Sequence, residues 1–392
     1  MDFREKGNLM KLTIMSYGMT CITGIAVILP FIIQQPAQDY FKSSAAYTGF
    51  VFSFFMFGML IFQILNGFIV KVLKIRAQIY LTAVVYLICS LAMFMIHSIV
   101  MLIPILIILG LCFGLIITIP NFILVHAFEG KERSTKLNRG DFMFSIGSLA
   151  YPMIASFMLS RHFSWQAVYL SVVILIIIVV ILCAKSVIPN VDATETAGVA
   201  KFSKWNMNVY MVGFAIFFYF LSYVGYTYWV AEYLTTNLKM SPTAADFGIS
   251  LFWIMYAVGC FISSYAVKYI AVNKYIIISA IVSFIAYFVI YYSTGVMMMY
   301  VSISILGIGC ATIYSSAISY GTLLVEHPSP RIISFFIASS GIGTYLAEVY
   351  SSWVQAQYGL SAVTVVSALM MLVTIVLMIV VAFTDKQAVK SI

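Results

Sequence analysis

Apolar runs of about twenty residues or more, separated by short polar breaks, recur along the whole chain. A helix rising 1.5 Å per residue needs ~20 apolar residues to cross ~30 Å of hydrocarbon. The runs predict helices near 11–33, 47–70, 77–97, 102–127, 138–159 and 166–184, then near 208–232, 245–267, 274–294, 297–324, 332–356 and 360–384. The thinnest division is the third, where only His97 and Ser98 interrupt the run before Pro104. The longest polar stretch, 185–207, has no helical period and reads as a linker. It separates an N-terminal six-helix bundle, 1–184, from a C-terminal one, 208–392. The bundles echo each other. Gly49 to Val70 with Lys71 matches Gly248 to Val267 with Lys268, and a short basic loop at Arg133 precedes Ser145-Ile-Gly147 as Arg331 precedes Gly341-Ile-Gly343. A constant offset, about 196 to 199 residues, is what a duplicated half gives. The expected fold class is all-α integral membrane: twelve transmembrane helices in two pseudo-symmetric six-helix bundles.

Composition excludes most alternatives. Lys, Arg, Asp and Glu are 9% of 392 residues, against ~25% in soluble domains. Hydrophobic residues are 63% and mean hydropathy is +1.06, so a soluble fold lacks the polar side chains to coat its core. A soluble enzyme, a nucleic-acid-binding domain and a disordered chain are all excluded. The net charge of +8 acquires a different meaning once it is placed along the chain. With the N-terminus inside, the inner segments carry Arg4, Lys6, Lys11, Lys71, Lys74, Arg76, Lys131, Arg133, Lys136 and Arg139. Lys185, Lys201, Lys204, Lys268, Lys274, Arg331, Lys386 and Lys390 follow, leaving Lys42, Arg161 and Lys239 outside. That division follows the positive-inside rule and puts both termini in the cytoplasm. The six cysteines lie in apolar runs without CxxC or Cys/His spacing, so neither disulfides nor a metal is expected. The apolar run at the N-terminus extends to a full span, so no cleavable signal peptide is expected. No phosphate loop or nucleophile triad is present in the sequence. The expectation is no enzyme and no cofactor, with any pumping driven by an ion gradient.

Several local motifs carry a family resemblance. The loop Gly67-Phe-Ile-Val70-Lys71-Val-Leu-Lys74-Ile-Arg76 resembles the Gly-x-x-x-Asp-Arg-x-Gly-Arg-Arg motif of the major facilitator superfamily, with Val70 in the acidic place. Ser164-Trp165-Gln-Ala-Val-Tyr169 resembles that superfamily's Trp-Arg-x-x-Phe entry to the sixth span. Leu137-Asn138-Arg-Gly-Asp141-Phe-Met-Phe144-Ser145-Ile-Gly147 resembles the Leu-Asn-x-x-Gln-x-x-Asn-Ser-x-Gly stretch of the fucose/hexose:proton symporter branch. Asp141 to Leu159 and Trp229-Val-Ala-Glu232-Tyr233 look more like the TsgA group of enterobacterial permeases. The resemblance implies the major facilitator fold, a bacterial inner membrane location and transport of a small molecule. Val27 and Ile117 stand where the fucose symporters carry their proton-coupling Asp and Glu, and Asp141 replaces a neutral Gln.

Ionisable groups at membrane depth cost ~2.5–3.5 kcal/mol on insertion scales and default to function. Four acids lie on or near spans: Asp141, Glu232, Asp246 and Glu348. Asp246 follows Ser241-Pro-Thr-Ala-Ala and reads as a helix cap. Asp141 and Glu348 are the candidates for proton coupling. Asp141 shares a helical stripe with Ser145 and Ser148 and reads either as a cavity group or as a first-turn acid paired with Arg133 or Arg139. Arg133, Arg139 and Glu232 are gate candidates. Asn121, Ser145, Tyr223, Tyr226, Tyr314 and Ser340 are cavity candidates, since hydroxyl-bearing aromatics stack on a solute and bond its hydroxyls. Tyr and Trp also belt interfaces, and Ser and Gly also let membrane helices pack closely. Pro30, Pro120 and Pro152 fall inside spans, where proline kinks a helix. The leading reading is a monomeric secondary carrier, symporting protons with a sugar-like or other small polar solute. Proton-driven efflux of drugs or metabolites is the same-class alternative, and a non-transporting membrane sensor the different-class one.

Overall fold

The computed structural model describes residues 5–188, 205–325 and 330–385, with the side chains of a few helix residues, Asp246 and Glu348 among them, outside the description. The middle of the linker, 189–204, also lies outside it. Among the described residues, twelve helices are long and apolar enough to cross a membrane. They are α1 Lys6–Phe41, α2 Ala45–Val72, α3 Ile75–Ala92, α4 Ile99–Ala127, α5 Gly130–Ser160 and α6 Trp165–Ala184. The second set is α7 Met207–Thr236, α8 Pro242–Ala266, α9 Val272–Tyr292, α10 Val296–Leu323, α11 Pro330–Tyr358 and α12 Leu360–Thr384.

The helix starts follow ordinary capping chemistry. The hydroxyls of Ser44, Ser164 and Ser241 accept from backbone N–H groups three residues on, at 3.3–3.4 Å. Ser241, followed by Pro242 at the first helical position, replaces the expected Asp246 cap. The prolines act unequally. Pro30 and Pro152 are carried inside continuous helices, and so is Pro36. Pro120 is associated with a break: α4 divides into Leu102–Ile116 and Thr118–Ala127, and Ile116 is the residue whose carbonyl a ring at 120 would strike. A similar break divides α10 into Val296–Cys310 and Ile313–Leu323, with Thr312 Oγ1 bonded to Ser279 at 2.8 Å.

One sequence expectation fails. The basic stretch around Arg133 is not a loop: Lys131, Arg133, Lys136 and Arg139 all lie within α5, which starts at Gly130. Hydropathy marks the hydrocarbon slab, and a helix can continue past it. Asp141 is therefore three turns into its helix, too deep for a first-turn acid favoured by the helix dipole.

The described residues divide into two compact units. Those before Glu129, together with Met143 to 188, make the first; Glu129–Phe142 joins the residues from 205 onward in the second. In the first unit, a Cβ on Gly110 would collide with the carbonyl of Phe55, and one on Gly147 with the carbonyl of Cys21. These glycines bring α4 onto α2 and α5 onto α1 with the backbones almost touching. The Tyr86 hydroxyl donates to Tyr169 O at 2.8 Å and that of Tyr151 to Val168 O at 2.6 Å. The exit of α6 is also held. Asn8 exchanges two bonds with Val187, at 2.7 and 2.8 Å, and Arg76 donates to Ser186 O at 2.6 Å.

The second unit repeats the plan. A Cβ on Gly307 would collide with the carbonyl of Phe252, and one on Gly343 with that of Phe217. Gly110 with Phe55 and Gly307 with Phe252 differ by 197 residues; Gly147 with Cys21 and Gly343 with Phe217 differ by 196. The offset read from the sequence is thus repeated in the helix contacts, as the pseudo-symmetric pair of bundles requires.

Candidate functional site

The polar chemistry of the second unit collects where the start of α5 meets the end of α10. These stretches run antiparallel and carry four side-chain bonds. Arg133 Nη1 donates to Thr322 Oγ1 at 3.1 Å, and the Ser134 and Ser319 hydroxyls pair at 2.6 Å. Ser316 donates to Asn138 Oδ1 at 3.5 Å, and the Ser315 hydroxyl donates to a carboxylate oxygen of Asp141. Spacing explains the register, since 134, 138 and 141 fall on one face of α5 as 315, 319 and 322 do on α10. Arg133, Ser134, Asn138, Ser315, Ser316, Ser319 and Thr322 are all buried. In membrane helices such bonds average ~0.6 kcal/mol, so the four together contribute about 2 kcal/mol. That is enough to define a register and small enough to be reversible.

Aromatic rings adjoin the deep end of this seam. Tyr314 precedes Ser315 and meets Phe220 edge-on at 5.2 Å, with the Ser340 hydroxyl near its own. Phe220 lies 5.3 Å from Tyr223, which also faces Phe252 and Tyr256, each at 6.4 Å. Tyr223, Tyr256 and Tyr314 all lie within electrostatic range of Asp141. The Tyr219 ring lies tilted against that of Tyr223 at 4.8 Å, and its hydroxyl donates to Cys310 O at 2.8 Å.

The structure thus brings Asp141, Tyr223, Tyr314 and Ser340 into one neighbourhood, with Arg133 further along the same seam. Arg139 lies over the Tyr265 ring at 5.5 Å. Tyr226 turns elsewhere: its ring meets Tyr287 of α9 at 5.4 Å, and its buried hydroxyl has no hydrogen-bond partner among the described residues. Ser145 is buried and Asn121 half-buried, both in the first unit. Glu232 is exposed at the end of α7. Glu348 lies on α11 with its side chain outside the description. Ile117 is the residue at which α4 divides, and Val27 lies on α1. Tyr256, Ser134 and Thr322 were absent from the sequence expectation. The signal for the last two was available, as polar residues at helical spacing facing Arg133 and Ser319.

Twelve spanning helices, with an intramembrane acid set among hydroxyls and rings, define the class: a multi-pass membrane transporter. The sequence profile of the Major Facilitator Superfamily matches residues 14–230 and 212–391, and the chain belongs to that superfamily. The TsgA homologues of Yersinia enterocolitica and Yersinia pestis are each 27% identical to it over 278 residues, 70% of this chain and 71% of theirs. The E. coli fucose:proton symporter FucP superposes with a TM-score of 0.80 at 16% identity, covering 95% of this chain and 99% of that one. The proton:xylose symporter XylE gives 0.77 at 14% identity, over 94% and 95%. Identities this low establish the shared fold alone.

Proposed function

We propose that the protein is a secondary carrier of the bacterial inner membrane that works by alternating access and couples a small polar solute to protons through Asp141. The moving bodies are the two six-helix halves of the sequence, 1–184 and 208–392, and both termini are cytoplasmic. The observation that carries the reading is the Asp141–Ser315 contact beside Tyr223, Tyr256 and Tyr314. A carboxylate at this depth is costly, and its hydroxyl partner can serve either protonation state, donating to the anion or accepting from the acid. The seam of about 2 kcal/mol is less than the ~5.5 kcal/mol that would throw a two-state equilibrium from 1:99 to 99:1. Protonation of Asp141 alters one of the bonds in that seam and so shifts its contribution.

Sugar-like solutes fit the aromatic surroundings, and the fucose and xylose symporters share the fold. Uptake by symport is the first reading. Export in exchange for protons is the second, kept open by Val27 and Ile117 standing where the fucose symporters carry their acids. The test is solute flux in proteoliposomes under an imposed pH gradient. An inward proton gradient driving solute accumulation supports symport, and one driving solute out supports exchange. Flux indifferent to the gradient and unchanged by Asp141→Asn overturns the coupling role.

A further inference from the structure

Where α5 begins and α8 ends, basic side chains crowd around one ring. The Arg139 guanidinium lies 5.5 Å from the centre of the Tyr265 ring, and the Lys268 ammonium lies 5.1 Å from it. Lys131 donates to Lys268 O at 2.9 Å, and Lys136 is within electrostatic range of both Arg139 and Lys268. All of these residues belong to the second unit. Against them, Glu132 lies in range of Lys136. Asp141, about 200° further round α5 from Arg139, meets Ser315 of α10 instead.

Part of this charge has a local explanation. The last carbonyls of a helix carry partial negative charge, and Lys131 answers those of α8. Arg139 and Lys268 have no such partner: beyond the Tyr265 ring, their side-chain nitrogens make no hydrogen bond or ion pair among the described residues. A cation resting on a ring face keeps its N–H groups for other partners. Like charges gathered on one ring repel each other, and an anion between them turns that repulsion into attraction. The flank of the cluster selects among anions. Tyr265 is exposed, and so is Phe261 one turn deeper on α8, whose ring meets Tyr265 at 5.3 Å and Phe142 of α5 at 5.6 Å. Cations at the helix ends with exposed rings directly beneath match an amphiphile, a phosphate for the cations and an acyl chain for the rings. A dissolved anion has use for the cations alone.

We infer that the meeting of α5 and α8 is a binding site for an anionic phospholipid, its phosphate bridging Arg139 and Lys268 and an acyl chain lying on Phe261. The inference stands apart from the carrier reading, since a lipid binds here whether or not a solute crosses. A phosphate so held ties the start of α5 to the end of α8.

The test is native mass spectrometry of the full-length, delipidated protein titrated with phosphatidylglycerol and with phosphatidylcholine of the same acyl chains. Phosphatidylglycerol is expected to bind at least ~10-fold more tightly, the effect of two basic groups on an anionic headgroup. The double variant Arg139→Gln, Lys268→Gln removes that preference. Arg139→Lys keeps the charge and most of the preference. Tyr265→Leu keeps both charges but frees them from the ring, and is expected to weaken phosphatidylglycerol several-fold. Lys6→Gln with Lys74→Gln, which removes equal charge from exposed positions on the first unit, leaves the preference intact. Equal affinity for the two lipids overturns the inference. So does a preference that survives the double variant, or one that the Lys6 and Lys74 changes erase as fully. Inorganic phosphate that displaces the lipid at millimolar concentration also overturns it, marking a site for dissolved anions. If the double variant does not fold, Tyr265→Leu decides, and an unchanged preference there overturns the inference.

Discussion

At the scale of single residues, Asp141 and Ser315 join costly burial to reversible chemistry. Asp141→Asn keeps the shape and an acceptor for Ser315 while removing the titration. It is expected to abolish proton-driven accumulation in proteoliposomes yet retain solute counterflow, and loss of both would mark Asp141 as structural. Ser315→Ala removes one interhelical bond and is expected to cost ~0.6–1.7 kcal/mol of stability, read from chemical unfolding of the purified protein. The sequence revealed Asp141 because charge inside an apolar run is conspicuous without any structure. Its partners were harder to see. Ser315 and Ser316 look like any small residues of a membrane helix until the opposing helix is known, and Tyr256 carries no pattern at all. The Tyr219, Tyr223, Tyr226 stripe illustrates the limit: helical spacing gives a face, but the neighbour at each depth differs. Tyr223 meets α8 and Tyr226 meets α9.

At the scale of elements, the close helix contacts depend on missing side chains. A Cβ on Gly110 or Gly307 would fall onto the backbone of the facing helix, whereas one on Gly7 meets nothing within 4 Å. Gly110→Leu and Gly307→Leu are expected to lower the melting temperature and the yield of monodisperse protein by similar amounts. Gly7→Ala leaves both unchanged, and unequal losses at the paired positions would show that the two halves tolerate strain differently. The twelve spans themselves were legible because hydropathy records the one dimension a bilayer imposes. The start of α5 was not, because Lys131 to Arg139 interrupt the apolar pattern while the helix itself runs through them. A charge run reads as water-exposed chain in sequence, yet Arg133 is buried against Thr322.

At the scale of the whole molecule, orientation is the open physical quantity, and the basic residues argue it. Cysteines introduced at 42, 161 and 239 are expected to react with a membrane-impermeant thiol reagent from the periplasmic side, and those at 74 and 268 only after permeabilisation. The native background is low, as five of the six cysteines are buried and Cys21 half-buried. The reverse labelling pattern would invert the topology. The paired glycine contacts have one more consequence. Subtracting the 197-residue offset from Ser315, Ser316, Ser319 and Thr322 gives Thr118, Ile119, Phe122 and Val125. Two copies of one architecture have thus taken different careers: the later one holds the hydroxyls, while the earlier kept the scaffold and let most of its matching stripe turn to hydrocarbon. Where two halves repeat one architecture, such a division lets one half carry the chemistry while the other preserves the shape.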